Sequence, residues 1–282
     1  MLPAQGPLPR ILAQQLTTSP GRVAIVLATR NGEEALTVRH LLRGAAAFAD
    51  RYRRAGVVAG EVVVDLLPPG ADLLYAFLGA MLLGAIPSIL PFQTEKLDPD
   101  RYRESLVSLM EVTHPAALVA ERHLAEALRE QHLPRAGLKA ILDAGPTTDT
   151  QTSPLEPSSW EGCAGSEDDI ALLQHSSGTT GLQKGVALSH RAILNQLRSY
   201  APAVSLAERD VVVSWLPLYH DMGLIAGFLM PLLTGVKLVL LSPFEWVRAP
   251  WRLLEAVSRH RGTLSWLPNF AYNFCAQRIP ES

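Results

Sequence analysis

Apolar residues recur along this 282-residue chain in two alternating rhythms. From Val38 to Arg54 they fall three and four positions apart, so Leu41, Leu42, Ala45, Phe48, Ala49 and Tyr52 share one stripe of a predicted helix. Val62–Leu67 follows as a strand, apolar at every position but Asp65. Further helices are predicted at Arg101–Glu111 and Glu121–Gln131, interleaved with strands at Ala116–Val119 and Leu138–Leu142. Ile170–Gln174, Val186–Leu188 and Val211–Trp215 read as strands, and Arg191–Tyr200 as a helix capped by Ser189. Leu224–Leu233, Lys237–Leu241, Trp251–Arg259, Thr263–Trp266 and Asn269–Arg278 continue the alternation. The expected class is α/β, with wound, mainly parallel sheets and flanking helices.

Two stretches break the rhythm. Leu73–Phe92 contains no charged residue and is long enough for a membrane span. Gly84 and Pro87 interrupt it, so Asp72–Leu83 reads as a buried helix feeding a buried strand at Ile86–Leu90, and no membrane span is expected. Ala144–Asp169 is rich in Pro, Ser, Thr and Gly and has no apolar period, which predicts a surface linker. It divides the chain into a first α/β subdomain (1–143), the linker (144–169) and a second α/β region (170–282). Met1–Arg22 lacks the continuous apolar segment of a secretory signal.

The strongest chemical signal lies between two predicted strands, in Gln174-His175-Ser176-Ser177-Gly178-Thr179-Thr180-Gly181-Leu182-Gln183-Lys184-Gly185. Ser176, Ser177, Thr179 and Thr180 supply hydroxyls, while Gly178, Gly181 and Gly185 permit the close backbone approach that a phosphate nest requires. Lys184 supplies the charge. The chain has only four lysines (Lys96, Lys139, Lys184, Lys237) among its 25 Lys and Arg, and a compact ammonium suits a point contact with phosphate. This is not a Walker A loop: Gly185 stands where a magnesium-binding Ser or Thr would follow the lysine, and Val186-Ala187-Leu188 reads as strand rather than helix.

A net charge of −2 gives no general field for nucleic acid, and Arg51-Tyr52-Arg53-Arg54 reads as the wet face of a helix. Cys163 and Cys275 cannot form a disulfide framework and suit a reducing, cytoplasmic setting. His175, His190, His220 and Asp221 lack the spacing of zinc motifs.

From about Leu36 to its end the chain resembles the adenylate-forming (acyl-activating, AMP-binding) superfamily. The loop just described, followed by Gly185-Val186-Ala187-Leu188-Ser189-His190, is similar to that superfamily's phosphate-binding motif. Trp215-Leu216-Pro217-Leu218-Tyr219-His220-Asp221-Met222-Gly223-Leu224-Ile225 resembles its aromatic-His motif, in the form of the fatty acyl-AMP ligase branch. Pro268-Asn269-Phe270-Ala271-Tyr272, with Cys275 and Arg278-Ile279, resembles the same branch, and Gly60–Val64 and Gly84–Pro87 match its early strands. Gln183 departs from a common Pro and Thr179 from a frequent Ser; neither change removes a phosphate donor.

The resemblance implies ATP and Mg²⁺ as cofactors, and a fatty or other carboxylic acid that displaces pyrophosphate to form an acyl adenylate. It implies phosphate contacts from Ser176, Ser177, Gly178, Thr179, Thr180, Gly181 and Lys184, and a positioning role for His220 near the carboxylate and α-phosphate. Asn269 and Phe270 would contribute to substrate binding, and the apolar segments Met222–Leu233 and Trp266–Phe274 fit either an acyl tunnel or ordinary core. The acyl group would pass to a phosphopantetheine thiol, on acyl carrier protein or coenzyme A. Superfamily motifs that follow these, including a Tyr-Gly-x-Thr-Glu-like segment and the mobile C-terminal domain with its lysine, do not occur before Ser282. The sequence therefore reads as the N-terminal part of a ligase, with a downstream polypeptide as a candidate partner. The alternative is a non-catalytic nucleotide- or acyl-binding module.

Overall fold

Every residue from Leu73 to Leu83 is buried, so this apolar segment is a helix covered on all sides, as its lack of any polar face requires. The computed structural model describes residues 6–93, 98–131, 133–134, 136–145, 155–176 and 184–279. In chain order it has α1 (Leu8–Thr18), β1 (Val23–Thr29), β2 (Gly32–Thr37), α2 (Val38–Arg54), β3 (Val62–Leu66), α3 (Ala71–Leu83) and β4 (Ile86–Ile89). Then follow α4 (Pro99–Thr113), β5 (Ala117–Ala120), α5 (Arg122–Glu130), β6 (Ala140–Asp143), β7 (Ile170–Ser176), β8 (Lys184–Ser189) and α6 (His190–Ala203). β9 (Val211–Ser214), a π-helix (Met222–Leu229), α7 (Met230–Thr234), β10 (Lys237–Leu241), α8 (Pro243–Arg248), α9 (Trp251–His260) and α10 (Asn269–Arg278) complete it. No helix among the described residues is long and apolar enough to cross a membrane.

The chain divides into two compact units, one of Gln14–His40 with Ile193–Ser282 and the other of Gln5–Ala13 with Leu41–Ala192. The second holds a six-stranded sheet in the order β6-β5-β3-β4-β7-β8, parallel except for the β7–β8 pair. Val64, Leu66, Leu118 and Ala120 on one face pack with Leu106, Leu109 and Met110 of α4 and Leu124, Ala125 and Leu128 of α5. Asp65 alternates to the other face and is fully buried, with no hydrogen-bond partner for either carboxylate oxygen among the described residues. Burial alone holds its carboxyl well above the usual range, so it is neutral.

Helices α2 and α3 approach closely through two glycines. A Cβ at Gly79 would lie 2.6 Å from the Ala45 carbonyl oxygen, and one at Gly44 would lie 2.5 Å from the Tyr75 ring. The Tyr52 hydroxyl crosses the same contact to donate to the Ala76 carbonyl at 3.2 Å. The described part of the predicted linker is anchored too: Trp160 is buried, and a Cβ at Gly162 would lie 2.2 Å from the Met81 carbonyl oxygen.

The other unit carries a four-stranded sheet, β2-β1-β10-β9, in which β1, β10 and β9 are parallel and β1–β2 is an antiparallel hairpin. Its core joins Val26, Val213 and Val239 of the strands to Trp246, Leu253, Ala256 and Ala271 of α8, α9 and α10. Periodicity missed α1 and the β1–β2 hairpin. Most of β2 is exposed and charged, which hides the strand signal, although Asn31-Gly32 is a turn pair and Gly32 takes φ 136°. The expected helix at Leu224–Leu233 is a π-helix running into α7, and of the expected strand at Thr263–Trp266 only Leu264 pairs, with Val212.

The start of α1 is tied down by a buried histidine. Leu8 N–H donates to His190 Nδ1 at 3.2 Å, Gly6 N–H donates to Glu167, and Arg10 Nε donates to the Cys163 carbonyl at 2.6 Å. Burial pushes His190 down to about 4, against smaller opposing pulls from Asp169 and Glu167. Two consequences are measurable. Because the folded pKa lies below the unfolded one, neutral His190 favours the fold above pH 6.5, and its own contribution falls as pH drops from about 6.5 through about 4, by roughly 3 kcal/mol, while the raised Asp65 carboxyl contributes with the opposite sign. In denaturant titrations the unfolding free energy of wild type minus that of His190→Gln should therefore fall by that amount across this window, since Asp65 is common to both. Gly79→Ala should lower the urea midpoint by the equivalent of roughly 1–3 kcal/mol, because its methyl meets a backbone carbonyl that cannot rotate away.

Candidate active site

The glycine- and hydroxyl-rich segment connects two antiparallel strands. β7 and β8 pair from Ile170↔Ser189 to Ser176↔Lys184, with a register shift between Ile170 and Leu172, and the last pair sets Ser176 and Lys184 opposite one another at the mouth. Ser177, Gly178, Thr179, Thr180 and Gly181, named from the sequence as phosphate contacts, lie outside the described residues. Lys184 begins a strand, as expected of a loop that does not run into a helix. Behind the mouth, His175 pairs with Gly185, and a Cβ on Gly185 would meet His175 Cε1 at 3.4 Å, an ordinary contact. The ring is buried and neither nitrogen has a hydrogen-bond partner among the described residues; burial lowers its pKa and keeps it neutral.

His220, Asn269 and Phe270 stand in the other unit. His220 is exposed in the turn that follows β9, where its N–H donates to the Pro217 carbonyl at 3.1 Å and its carbonyl accepts from Leu224 N–H at 2.8 Å. Its ring lies 4.9 Å from that of Tyr219, whose phenol is raised by burial. Asp221 caps the π-helix by accepting from Met222 N–H at 2.7 Å. Such helices are rare and gather at functional sites. Here it is pressed against the preceding turn: a Cβ at Gly223 would lie 2.2 Å from the Pro217 carbonyl oxygen, and one at Gly227 would lie 2.8 Å from Ser214 Oγ.

Asn269 and Phe270 open α10, and both are exposed. Phe270 meets Trp215 edge to face with ring centroids 6.4 Å apart, and Trp215 stacks on Trp246 at 3.6 Å. The structure thus joins the start of α10 to the root of the His220 segment through Trp215. Trp246 had no role in the sequence reading; its aromatic neighbours in the Trp215 and Phe270 motifs were the available signal.

Residues 12–281 match the AMP-binding enzyme family. The chain belongs to that family. Among its relatives, a long-chain fatty-acid–AMP ligase of Mycobacterium marinum is 31% identical over 97% of this chain and 47% of its own length. A medium-chain fatty-acid–[acyl-carrier-protein] ligase of Teredinibacter turnerae is 37% identical over 41% of this chain and 18% of its own. Among solved structures, the fatty acyl-adenylate ligase of L. pneumophila, in complex with acyl adenylate and pyrophosphate, superimposes with a TM-score of 0.83 at 28% identity, covering 98% of this chain and 46% of that one. The chain spans less than half the length of these relatives.

In this AMP-binding enzyme chain, the fit of the π-helix around Gly223 gives a direct test of what positions His220. Gly223→Ala should displace the Pro217–His220 turn and shift the His220 imidazole resonances in NMR spectra, whereas Met222→Ala, at an exposed neighbour, should leave them in place.

Proposed function

We propose that the chain forms the phosphate- and acyl-binding part of an ATP-dependent carboxylate-activating ligase of the fatty acyl-AMP type. A carboxylate oxygen attacks the α-phosphorus of ATP, the bond to the bridging oxygen of the β-phosphate breaks, and pyrophosphate leaves as the acyl adenylate forms. The carboxylate is ionised at neutral pH, so the step needs no general base. It needs charge neutralised and two anions held in line. Backbone N–H groups and the hydroxyls of Ser176, Ser177, Thr179 and Thr180, with Gly178 and Gly181 allowing close approach, cradle the leaving phosphates, and the Lys184 ammonium supplies positive charge. His220 orients the carboxylate, and Asn269 and Phe270 border the acyl group. Mg²⁺ would arrive on the triphosphate oxygens, and among the described residues no three His, Cys, Asp or Glu side chains form a metal cluster.

The observation that carries this reading is the antiparallel strand pair whose last pair, Ser176↔Lys184, brackets the glycine- and hydroxyl-rich sequence 177–183, in a chain that matches the family over nearly its whole length. The names of the relatives support a fatty acid as substrate and an acyl carrier protein, or else coenzyme A, as acceptor. Their greater length supports a requirement for a further polypeptide segment to complete the adenine site and close it.

Titration of ATP or pyrophosphate against Lys184→Ala and Lys139→Ala tests the assignment. Lys139 is a suitable control because its ammonium already pairs with Glu61 at 2.6 Å. Loss of a charge-assisted contact of roughly 1.5–3 kcal/mol should weaken binding about ten- to hundredfold in Lys184→Ala only; equal losses in both variants would refute it. Residues 1–282 by themselves should show little fatty-acid-dependent ATP–pyrophosphate exchange. A segment matching the remaining half of the relatives should restore it, and failure to do so would favour the non-catalytic binding module.

A further inference from the structure

The carboxyl ends of β3 and β4 hold a second concavity, lined by none of the residues assigned to adenylate formation. Leu66, Leu90, Pro91 and Leu106, together with Arg101, Tyr102 and Ser105 of α4, enclose about 250 Å³. Leu66 ends β3 and Leu90 follows β4. Crevices outside the carboxyl ends of parallel strands are where open α/β sheets hold ligands, and this one is small, apolar and furnished with a few polar groups on one wall.

The polar groups are available. The Tyr102 hydroxyl is buried with no hydrogen-bond partner among the described residues, and burial raises its pKa, so it stays protonated and able to donate. A buried donor left unpaired is costly, which makes it a strong point of recognition for any acceptor that enters. Arg101, one residue before it in the first turn of α4, is exposed and makes no ion pair among the described residues. Ser105 stands one turn further along the same helix, on the same side. Hydrocarbon from three buried leucines forms much of the remaining wall.

We propose that this cavity binds a small carboxylate with a compact apolar body, its oxygens taken by the Arg101 guanidinium and the Tyr102 hydroxyl and its body set against Leu66, Leu90, Pro91 and Leu106. A planar carboxylate matches the guanidinium fork, and a single negative charge is matched by the single cation. A phosphate dianion would be left undercompensated against apolar walls.

Calorimetric titration of benzoate into the full chain, with benzyl alcohol and inorganic phosphate as parallel probes, tests the site. Saturable benzoate binding is expected, weakened about tenfold or more in Arg101→Ala and severalfold in Tyr102→Phe, while benzyl alcohol binds wild type and Arg101→Ala alike. Arg101 is exposed and Tyr102→Phe removes only an unpartnered hydroxyl, so both variants should fold, as an unchanged melting profile would verify. Unchanged benzoate affinity in both variants, absence of saturable binding, or phosphate binding more tightly than benzoate would each overturn the proposal. ATP titrations in Arg101→Ala should match wild type, which keeps this test separate from that of the phosphate hairpin.

Discussion

A helix without a polar face must be enclosed, and the arrangement around α3 follows from that constraint. Leu73–Leu83 is buried throughout, so α3 needs the sheet on one side, α2 on another and the segment around Gly162 near its C-terminal end. Ordinary side chains at the crossing would hold α2 and α3 apart. Gly44 and Gly79 remove that obstacle, and Gly162 lets a third backbone reach the Met81 carbonyl. The enclosure fixes the order of β3 and β4, against which β7 then pairs through Ser88↔Leu173.

The hairpin at the sheet edge follows from this. In a wholly parallel sheet, β7 would be followed by a crossover and its carboxyl end would face a helix terminus. β8 instead returns antiparallel, so the glycine- and hydroxyl-rich segment connects a strand to a strand rather than a strand to a helix. Anion binding at such a connection relies on backbone N–H groups and side-chain donors rather than on a helix dipole. The His220 segment is set by a different device, a π-helix whose first turn is packed against the Pro217 carbonyl.

Much of the alternation was legible because both faces of the parallel strands are covered, which gives continuous apolar runs such as Ala117–Ala120. The helix α2 was legible to the residue, since its apolar stripe is uninterrupted. β2 was not: four consecutive exposed residues, two of them adjacent glutamates, erase the alternation and give it the look of a loop. The π-helix was invisible for a different reason, because Met222–Leu229 is apolar at nearly every position and an apolar run carries no phase from which to distinguish its hydrogen-bond spacing. The motifs of the candidate site were plain as residue types. What the chain could not disclose was the packing that supports them, such as the close approach of Gly223 to the Pro217 carbonyl and the Trp215–Trp246 stack, because these depend on the backbone path and on pairings that residue types alone do not specify.

Asp65 sits in the middle of the six-stranded sheet with neither oxygen partnered, and its carboxyl is neutral there. In the unfolded chain the same group is ionised at neutral pH. Folding is therefore coupled to the uptake of a proton from solution, and the buffer becomes a participant in the reaction. The heat released on folding will carry the buffer's own enthalpy of ionisation, so the apparent enthalpy belongs to the protein and its medium together.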